Sequence, residues 1–244
     1  MVLDRYYSIQ YSTGIENQGS NPARTSHHQC KPVTFRMDKL KDSLGIIEEA
    51  LRNFGAEEIF ISFNGGKDCT VLLDIIQNSN LKDAKRIKCI YVRPLHPFSE
   101  IEEFVELCRA HYGITISTVN GSIKSALEMI CNEDRQIKAC IMGSRRSDPY
   151  CERLTPFQET DPGWPQLMRI NPLLEWSCED IWNYIRERHV PYCVLYDRGY
   201  TSIGDRTNTI PNPHLKVVSD DGSEEYLPAY TLKDADKHER AGRL

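Results

Sequence analysis

The sequence predicts an α/β protein with a doubly wound, mostly parallel sheet and a small C-terminal subdomain. Short apolar runs indicate buried strands, and helical segments separate them along the chain. Alternating strands and helices are typical of a parallel sheet that is covered by helices on both faces. After about residue 188 turns and short strands replace this alternation, which indicates the subdomain.

Each element has its own signal. Apolar residues three or four apart predict a helix over 37–54. Ser99 with Glu102, and Ser177 with Asp180, have the spacing of capping boxes at the starts of two further helices. The predicted strands are 58–63, 87–92, 114–119 and 139–142, the other helices cover 69–77, 99–112 and 122–134, and a terminal hairpin joins 214–219 to 225–232.

Three regions are expected along the chain. Residues 1–34 are rich in Ser, Asn, Gln, Thr and His without periodicity, which is typical of a flexible leader. Residues 35–188 contain the alternating strands and helices of the α/β domain. Residues 189–244 are expected to close over the edge of its sheet.

Composition excludes several classes of protein. The net charge of −5 and the absence of a basic run argue against a nucleic-acid partner. No apolar run approaches the roughly 20 residues of a membrane span, and no secretory signal opens the chain. The nine cysteines contain no CxxC pair, and an odd number fits a reducing compartment. These observations predict a soluble cytoplasmic protein without a membrane partner or an obligate protein partner. They leave a mitochondrial or nuclear pool open.

The segment 62–68, SFNGGKD, lies between a predicted strand and a predicted helix. Adjacent glycines let backbone N–H groups turn toward a ligand, and the helix N-terminus and Lys67 add positive charge. Together they predict a cradle for phosphate or pyrophosphate. The spacing differs from the Walker pattern. The simple alternative is a Gly-Gly turn with a solvated lysine.

Three further segments carry candidate binding residues. The segment 143–149, GSRRSDP, follows a predicted strand and offers two arginines for phosphate oxygens, or an exposed Arg–Asp pair. The segment 160–165, TDPGWP, places an acid beside an indole that could lie against a planar ring, or in the core. The segment 239–243, ERAGR, is by itself a solvated basic terminus.

The SFNGGKD segment resembles the signature SxGGKDS of the PP-loop ATP pyrophosphatases, with Cys69 in place of the usual serine. The resemblance implies an adenine nucleotide alpha hydrolase-like fold and an activity that cleaves ATP between its α and β phosphates. It also implies a set of ATP-binding residues: Ile61, Ser62, Asn64, Gly65, Gly66, Lys67, Asp68, Tyr91, Val92, Arg93, Gly143, Ser144, Arg145 and Arg146.

Longer stretches resemble the eukaryotic-type FAD synthases, which are FMN adenylyltransferases. They are GSRRSDPYCERLTPFQETDPGWP, NPLLEWSCEDIWNYI, GYTSIGDRTNTIPNPHL and YLPAYTLKDADKHERAGR, and the resemblance runs from about Phe60 to Arg243. It implies flavin binding by Asp148, Asp161, Pro162, Gly163, Trp164, Arg240 and Arg243. It implies catalytic roles for Asn64, Lys67, Asp68, Arg240 and Arg243, and magnesium ligands in Asp68 and Asp148.

The implied reaction uses ATP and FMN with magnesium, and its product FAD could remain bound. The FMN phosphate would attack the α-phosphorus of ATP directly, beneath a C-terminal subdomain that closes over the site. Other PP-loop enzymes remain alternatives: a PAPS reductase or a sulfate adenylyltransferase in sulfur metabolism, or a tRNA-thiolating enzyme. The absence of any cysteine after Cys193 disfavours the reductase. A non-catalytic module that binds nucleotide or flavin is the alternative of another class.

Overall fold

The structure is a computed structural model that describes residues 36–244. The predicted leader, 1–34, lies outside the described residues. Helix α1 (Met37–Phe54) begins and ends as the sequence predicts. It stops at Gly55, whose φ of 73° lies in the region that glycine tolerates best.

The core of the molecule is a six-stranded sheet. Its strands are β1 (Ile59–Phe63), β2 (Lys88–Arg93), β3 (Ile116–Asn120), β4 (Ala139–Ile141), β5 (Phe157–Glu159) and β6 (Met168–Ile170). Their order across the sheet is β3-β2-β1-β4-β6-β5. All neighbours pair in parallel except β5, which runs antiparallel to β6 at one edge. The predicted doubly wound, mostly parallel sheet is confirmed.

Helices cover both faces of the sheet, and its central strand β1 is apolar on both sides. The helices that follow α1 are α2 (Lys67–Asn78), α3 (Ser99–Tyr112), α4 (Ile123–Glu133), α5 (Cys178–Arg188) and the single turn α6 (Ala235–His238). Phe60 packs in one cluster with Ile130 of α4. Its strand neighbours Ile59 and Ile61 point to the opposite face and are also fully buried. Helix α2 packs against β1 and α5.

The two predicted capping boxes have different outcomes. Ser177 accepts from the backbone N–H of Asp180, and the Asp180 carboxylate accepts from the N–H of Ser177, so the box of α5 is confirmed. The box at α3 is wrong, because this helix has no side-chain cap. Its Glu102 instead accepts hydrogen bonds from Tyr91 and Arg93 of the neighbouring strand β2.

The hairpin of β5 and β6 was not expected from the sequence. Each strand has only three residues, too few for a visible alternation of apolar and polar positions. The connection between them contains Asp161 and Trp164, so the aromatic turn lies at the edge of the sheet. Gly163 in this turn has a φ of 85°, which explains a glycine there.

The C-terminal region contains the predicted hairpin with shorter strands, β7 (Lys216–Val218) and β8 (Glu224–Tyr226). The described residues fold as one compact unit, so the region after residue 188 packs with the α/β domain. The boundary at 188 stays a prediction. Within 36–244, no helix combines the length and the apolar character that crossing a membrane requires.

Candidate active site

A cavity of about 1010 Å³ lies at the carboxyl ends of the parallel strands. Its wall is built from the loops that follow β1, β2, β3 and β4, together with Tyr196, residues 202–205, Asn208 and the C-terminal Glu239, Arg240 and Arg243. Ligands of open parallel sheets bind at this end, because the loops there converge and helix N-termini point toward it. The predicted phosphate cradle and the predicted C-terminal residues therefore share one cavity.

The loop after β1 leads directly into the N-terminus of α2. Asn64 accepts a hydrogen bond from the N–H of Gly66 at 2.9 Å, which folds the loop back on itself. The Cys69 thiol lies 2.8 Å from the amide oxygen of Asn64 and takes the place of the serine hydroxyl. Burial raises the pKa of Cys69 to about 12, so this thiol remains protonated and braces the loop.

The loop after β4 packs closely on the same helix. A side chain at Gly143 would lie 2.9 Å from the backbone nitrogen of Cys69 and 3.0 Å from the carbonyl carbon of Asp68. Both are backbone atoms that cannot move aside. Glycine at this position therefore allows the two phosphate-binding loops predicted from the sequence to touch.

Lys67 is buried within a set of hydrogen bonds, with only 3% of its surface exposed. Its Nζ lies 2.9 Å from a carboxylate oxygen of Asp68 and 2.9 Å from one of Glu239. Its backbone N–H donates to the hydroxyl of Tyr196 at 2.8 Å. Burial opposes the charge, but the two carboxylates raise the pKa of Lys67 well above its ordinary value. The alternative of a solvated lysine is wrong.

Arg145 is still more enclosed, at 1% exposure. Its guanidinium forms ion pairs with four carboxylates: Asp68 at 2.8 Å, Asp236 at 3.1 Å, Asp148 at 3.5 Å, and Glu239. Burial works against the charged form, yet these carboxylates raise the pKa of Arg145 above its ordinary value. Lys67 and Arg145, the buried cation pair, are thus neutralised by the protein itself.

Arg240 and Arg243, the C-terminal arginine pair, have a different environment. Arg240 is exposed and Arg243 is half-buried, and both line the cavity. No carboxylate of residues 36–244 forms an ion pair with either side chain. Burial and the nearby charge of Arg240 lower the pKa of Arg243. The Arg243 guanidinium lies directly over Gly204, where any side chain would collide with it.

Buried polar side chains hold the backbone beside these arginines. Thr201 donates to the carbonyl oxygen of Glu239 at 2.6 Å, and Asn212 donates to that of His238 at 2.9 Å and to Thr201. Arg243 also pairs with Thr209 as an isolated β-bridge. The segment 239–243 is therefore fixed against the cavity wall, and the simple interpretation of a solvated basic terminus does not hold.

Twelve of the predicted site residues line the cavity. They are Ser62, Asn64, Gly66, Lys67, Asp68, Val92, Gly143, Ser144, Arg145, Asp148, Arg240 and Arg243. Their roles stay predictions, but the structure brings them together. Tyr196 and Glu239 also line the cavity and were missed, because nothing in the local sequence marks either as part of a site.

The remaining predicted residues are not part of the cavity wall. Ile61 is buried in the sheet, Gly65 packs on Ile101, and Tyr91 and Arg93 hydrogen-bond to Glu102. Arg146 turns outward and forms an ion pair with Glu175. The remaining four, on the β5–β6 connection, are Asp161, Pro162, Gly163 and Trp164. Asp161 lies 3.4 Å from Arg169, and Trp164 is 39% exposed.

The predicted magnesium ligands do not form a cation site by themselves. Both carboxylate oxygens of Asp68 are in ion pairs, and Asp148 accepts from the backbone N–H of Arg145 at 2.9 Å. In the described part of the chain, no cluster of three or more His, Cys, Asp or Glu residues is arranged to hold a metal. Mg²⁺ is commonly bound by one or two carboxylates together with substrate phosphates.

A parallel α/β sheet, an anion cradle at the first strand–helix junction and arginines across the same cavity define a nucleotide-binding protein. The family described as phosphoadenosine phosphosulfate reductase domain matches residues 58–135 and 123–211. A probable FAD synthase of Schizosaccharomyces pombe is 40% identical over 214 residues, which cover 84% of this chain and 79% of that protein. The chain belongs to this family and, within it, to the eukaryotic-type FAD synthases.

Other relatives add to this placement. A probable FAD synthase of Caenorhabditis elegans is 38% identical over 85% of this chain, and the match spans only 40% of that longer protein. The crystal structure of Candida glabrata FMN adenylyltransferase in complex with ATP has a TM-score of 0.75. That match is 27% identical and covers 89% of this chain and 91% of the other. The Candida enzyme has also been crystallised with FAD and inorganic pyrophosphate.

Proposed function

We propose that this protein transfers AMP from ATP to the phosphate of FMN, giving FAD and pyrophosphate. The observation that carries the proposal is that one cavity contains both an anion cradle and two arginines, Arg240 and Arg243, that have no carboxylate partner within residues 36–244. Two anionic substrates need two such positions. The names and bound ligands of the relatives support the same reaction, and favour it over the reductase, the sulfate adenylyltransferase and the non-catalytic module.

The reaction needs no nucleophilic side chain, since the FMN phosphate is itself a nucleophile. One of its oxygens forms a bond to the α-phosphorus of ATP, and the bond from that phosphorus to the bridging oxygen of pyrophosphate breaks. The electron pair of the broken bond leaves with pyrophosphate. Among the described residues, the cysteines that line the cavity are Cys69 and Cys151, and burial raises the pKa of both thiols, which disfavours a thiolate nucleophile.

The protein's task is to bring two anions together and to stabilise the charge that develops between them. The positive N-terminus of α2 would hold the departing pyrophosphate. The backbone N–H groups of Gly66 and Lys67 donate to Asn64 and Tyr196 in this structure, and they would exchange these partners for phosphate oxygens. Arg240 and Arg243 would hold the attacking phosphate. Lys67 would add positive charge beside the pyrophosphate and would also keep the cradle in shape, because its ammonium forms ion pairs with two carboxylates.

Magnesium enters this proposal as part of the MgATP substrate. Asp148 is the better protein ligand of the two predicted, because it lines the cavity and only one of its oxygens accepts a backbone N–H. Asp68 would have to give up an ion pair of 2.8 or 2.9 Å to take that role, whereas the ion pair of Asp148 with Arg145 is longer, at 3.5 Å. Burial raises the pKa of Asp148, and a bound cation would lower it again.

The flavin ring and the place of action complete the proposal. Asp161 to Trp164 remain our candidates for binding the isoalloxazine ring, since the indole of Trp164 is accessible on the β5–β6 connection.

We expect the protein to act in the cytoplasm, because all eight cysteines among the described residues are free thiols.

The test is to incubate the purified protein with ATP, magnesium and FMN, and to measure FAD and pyrophosphate by chromatography. Equal amounts of the two products, formed with FMN and not with riboflavin, are expected. Pyrophosphate without FAD would overturn FMN as the acceptor, and sulfate would be tested next. Neither product from a folded protein would favour the non-catalytic module.

A further inference from the structure

We propose that Glu239 is a positioning residue that fastens the C-terminal arginine pair to the nucleotide loop. Its buried carboxylate bridges Lys67 and Arg145, and so fixes the segment 239–243 against the cavity. This inference rests on the proposed function, since it assigns to Glu239 the placement of the arginines that meet the FMN phosphate.

The side chain and the backbone of Glu239 are both held. One carboxylate oxygen lies 2.9 Å from Nζ of Lys67, and the other contacts the guanidinium of Arg145. The backbone carbonyl accepts a hydrogen bond of 2.6 Å from Thr201. Only 3% of the residue is exposed. Such burial is rare for a glutamate, and it occurs where the charge is paired.

Glu239 is the residue directly before Arg240. Neighbouring Cα atoms lie about 3.8 Å apart, so fixing Glu239 leaves Arg240 little freedom of position. The N–H of Arg243 in turn donates to the carbonyl oxygen of Arg240 at 2.9 Å, which closes a turn between the two arginines. The position of Arg240 therefore depends on where the Glu239 carboxylate is bound. The turn passes part of this constraint to Arg243, whose backbone also pairs with Thr209.

The negative charge of Glu239 matters as well as its shape. A glutamine could offer its amide oxygen to one cation, but its NH₂ group would then face the other. Removing one member of a buried ion pair leaves an uncompensated charge, which is far more costly than losing an exposed pair. The variant Glu239→Gln should therefore release the segment, whereas Glu239→Asp keeps the charge on a shorter side chain.

The experiment compares Glu239→Gln and Glu239→Asp with Glu57→Gln as the matched control. Glu57 also pairs with an arginine, Arg86, but this pair is exposed and Glu57 does not line the cavity. Limited trypsin digestion followed by mass spectrometry measures cleavage after the exposed residues Lys237 and Arg240, without any substrate. Steady-state FAD synthesis measures kcat and the KM for ATP and for FMN.

For Glu239→Gln we expect trypsin to cleave after Lys237 and Arg240 about tenfold faster than in the wild type. We expect kcat to fall about tenfold, while the KM for ATP stays within about threefold of the wild-type value. Glu239→Asp should lie between this variant and the wild type, and Glu57→Gln should match the wild type. A lower KM for ATP with unchanged kcat would overturn the proposal, because Glu239 would then merely mask Lys67. Unchanged tail cleavage in a folded variant would also overturn it.

The test remains decisive in two difficult cases. If Glu239→Gln does not fold, Glu239→Asp must still change both readouts in the same directions by about threefold, and wild-type values in both would reject the role. If the wild type makes no FAD, the proposed function fails, but the trypsin readout still shows whether Glu239 fastens the segment.

Discussion

The cavity contains two pairs of cations that differ in almost every physical respect. Lys67 and Arg145 are buried and surrounded by carboxylates, whereas Arg240 and Arg243 are more accessible and have no carboxylate partner among the described residues. A cation that the protein has already neutralised organises the loops around it. A cation without a partner is available to a phosphate. The strongest sequence motif therefore need not supply the groups that meet the charged substrate.

The largest effect should come from the buried pair, through stability. We expect Arg145→Gln to lower the free energy of unfolding by about 3–5 kcal/mol, because it leaves four clustered carboxylates without their shared partner. Urea unfolding measures the loss, and Arg86→Gln, which removes two exposed ion pairs, is the control. A loss no larger than that of the control would break the distinction between the two pairs.

The C-terminal pair should affect turnover instead. We expect Arg243→Ala to lower kcat about a hundredfold, or ~3 kcal/mol in the barrier, while the unfolding curve stays in place. Arg206→Ala is the matched control, since its side chain is exposed and does not line the cavity. Near-normal turnover in Arg243→Ala would remove this arginine from the mechanism.

Acid should weaken the buried cluster in a predictable way. Burial would raise the pKa of Glu239, but Lys67 and Arg145 lower it from 4.5 to about 2. The unfolded chain therefore takes up a proton first, and stability is complete above the unfolded pKa and declines as pH falls toward the folded one. Between about pH 5 and about pH 3, the wild type should lose about 2 kcal/mol more than Glu239→Gln. Parallel curves for the two proteins in urea would contradict this.

The smallest effect is expected where the side chain of Arg243 packs on Gly204. A methyl group at Gly204 would collide with the guanidinium of Arg243, which is flexible and can move away. We expect Gly204→Ala to lower kcat about tenfold, with little change in stability. Gly45→Ala in α1, where nothing lies near the new methyl group, should leave kcat unchanged. Normal kcat in Gly204→Ala would show that turnover does not depend on the exact position of the Arg243 guanidinium.

Local patterns in the sequence were sufficient for much of the fold. The helix over 37–54 and the capping box at Ser177 depend on neighbouring residues, and both were predicted correctly. The box at Ser99 failed because Glu102 hydrogen-bonds across to Tyr91 and Arg93. A contact between a helix and a strand leaves no trace in the spacing of the helix residues.

The site was predictable where motifs follow strands. The segments 62–68 and 143–149 were expected at the carboxyl end of the sheet, and the structure places both there. Burial of Lys67 and Arg145 was not predictable, because their partner Glu239 lies far along the chain. The charged segment around Glu239 is typical of an exposed terminus, and Glu239 becomes buried only because this segment packs against the cavity.

The distance along the chain between partners in the cluster has a consequence for folding. Lys67 and Glu239 are separated by 172 residues, so their contact closes a very long loop and forms only after the chain between them is ordered. We expect the sheet to persist while the segment 239–243 opens, because chain termini open more easily than a core. In mild urea, activity should therefore disappear before the circular dichroism of the helices changes. The loss of activity would then report the opening of the segment 239–243 and not the unfolding of the sheet.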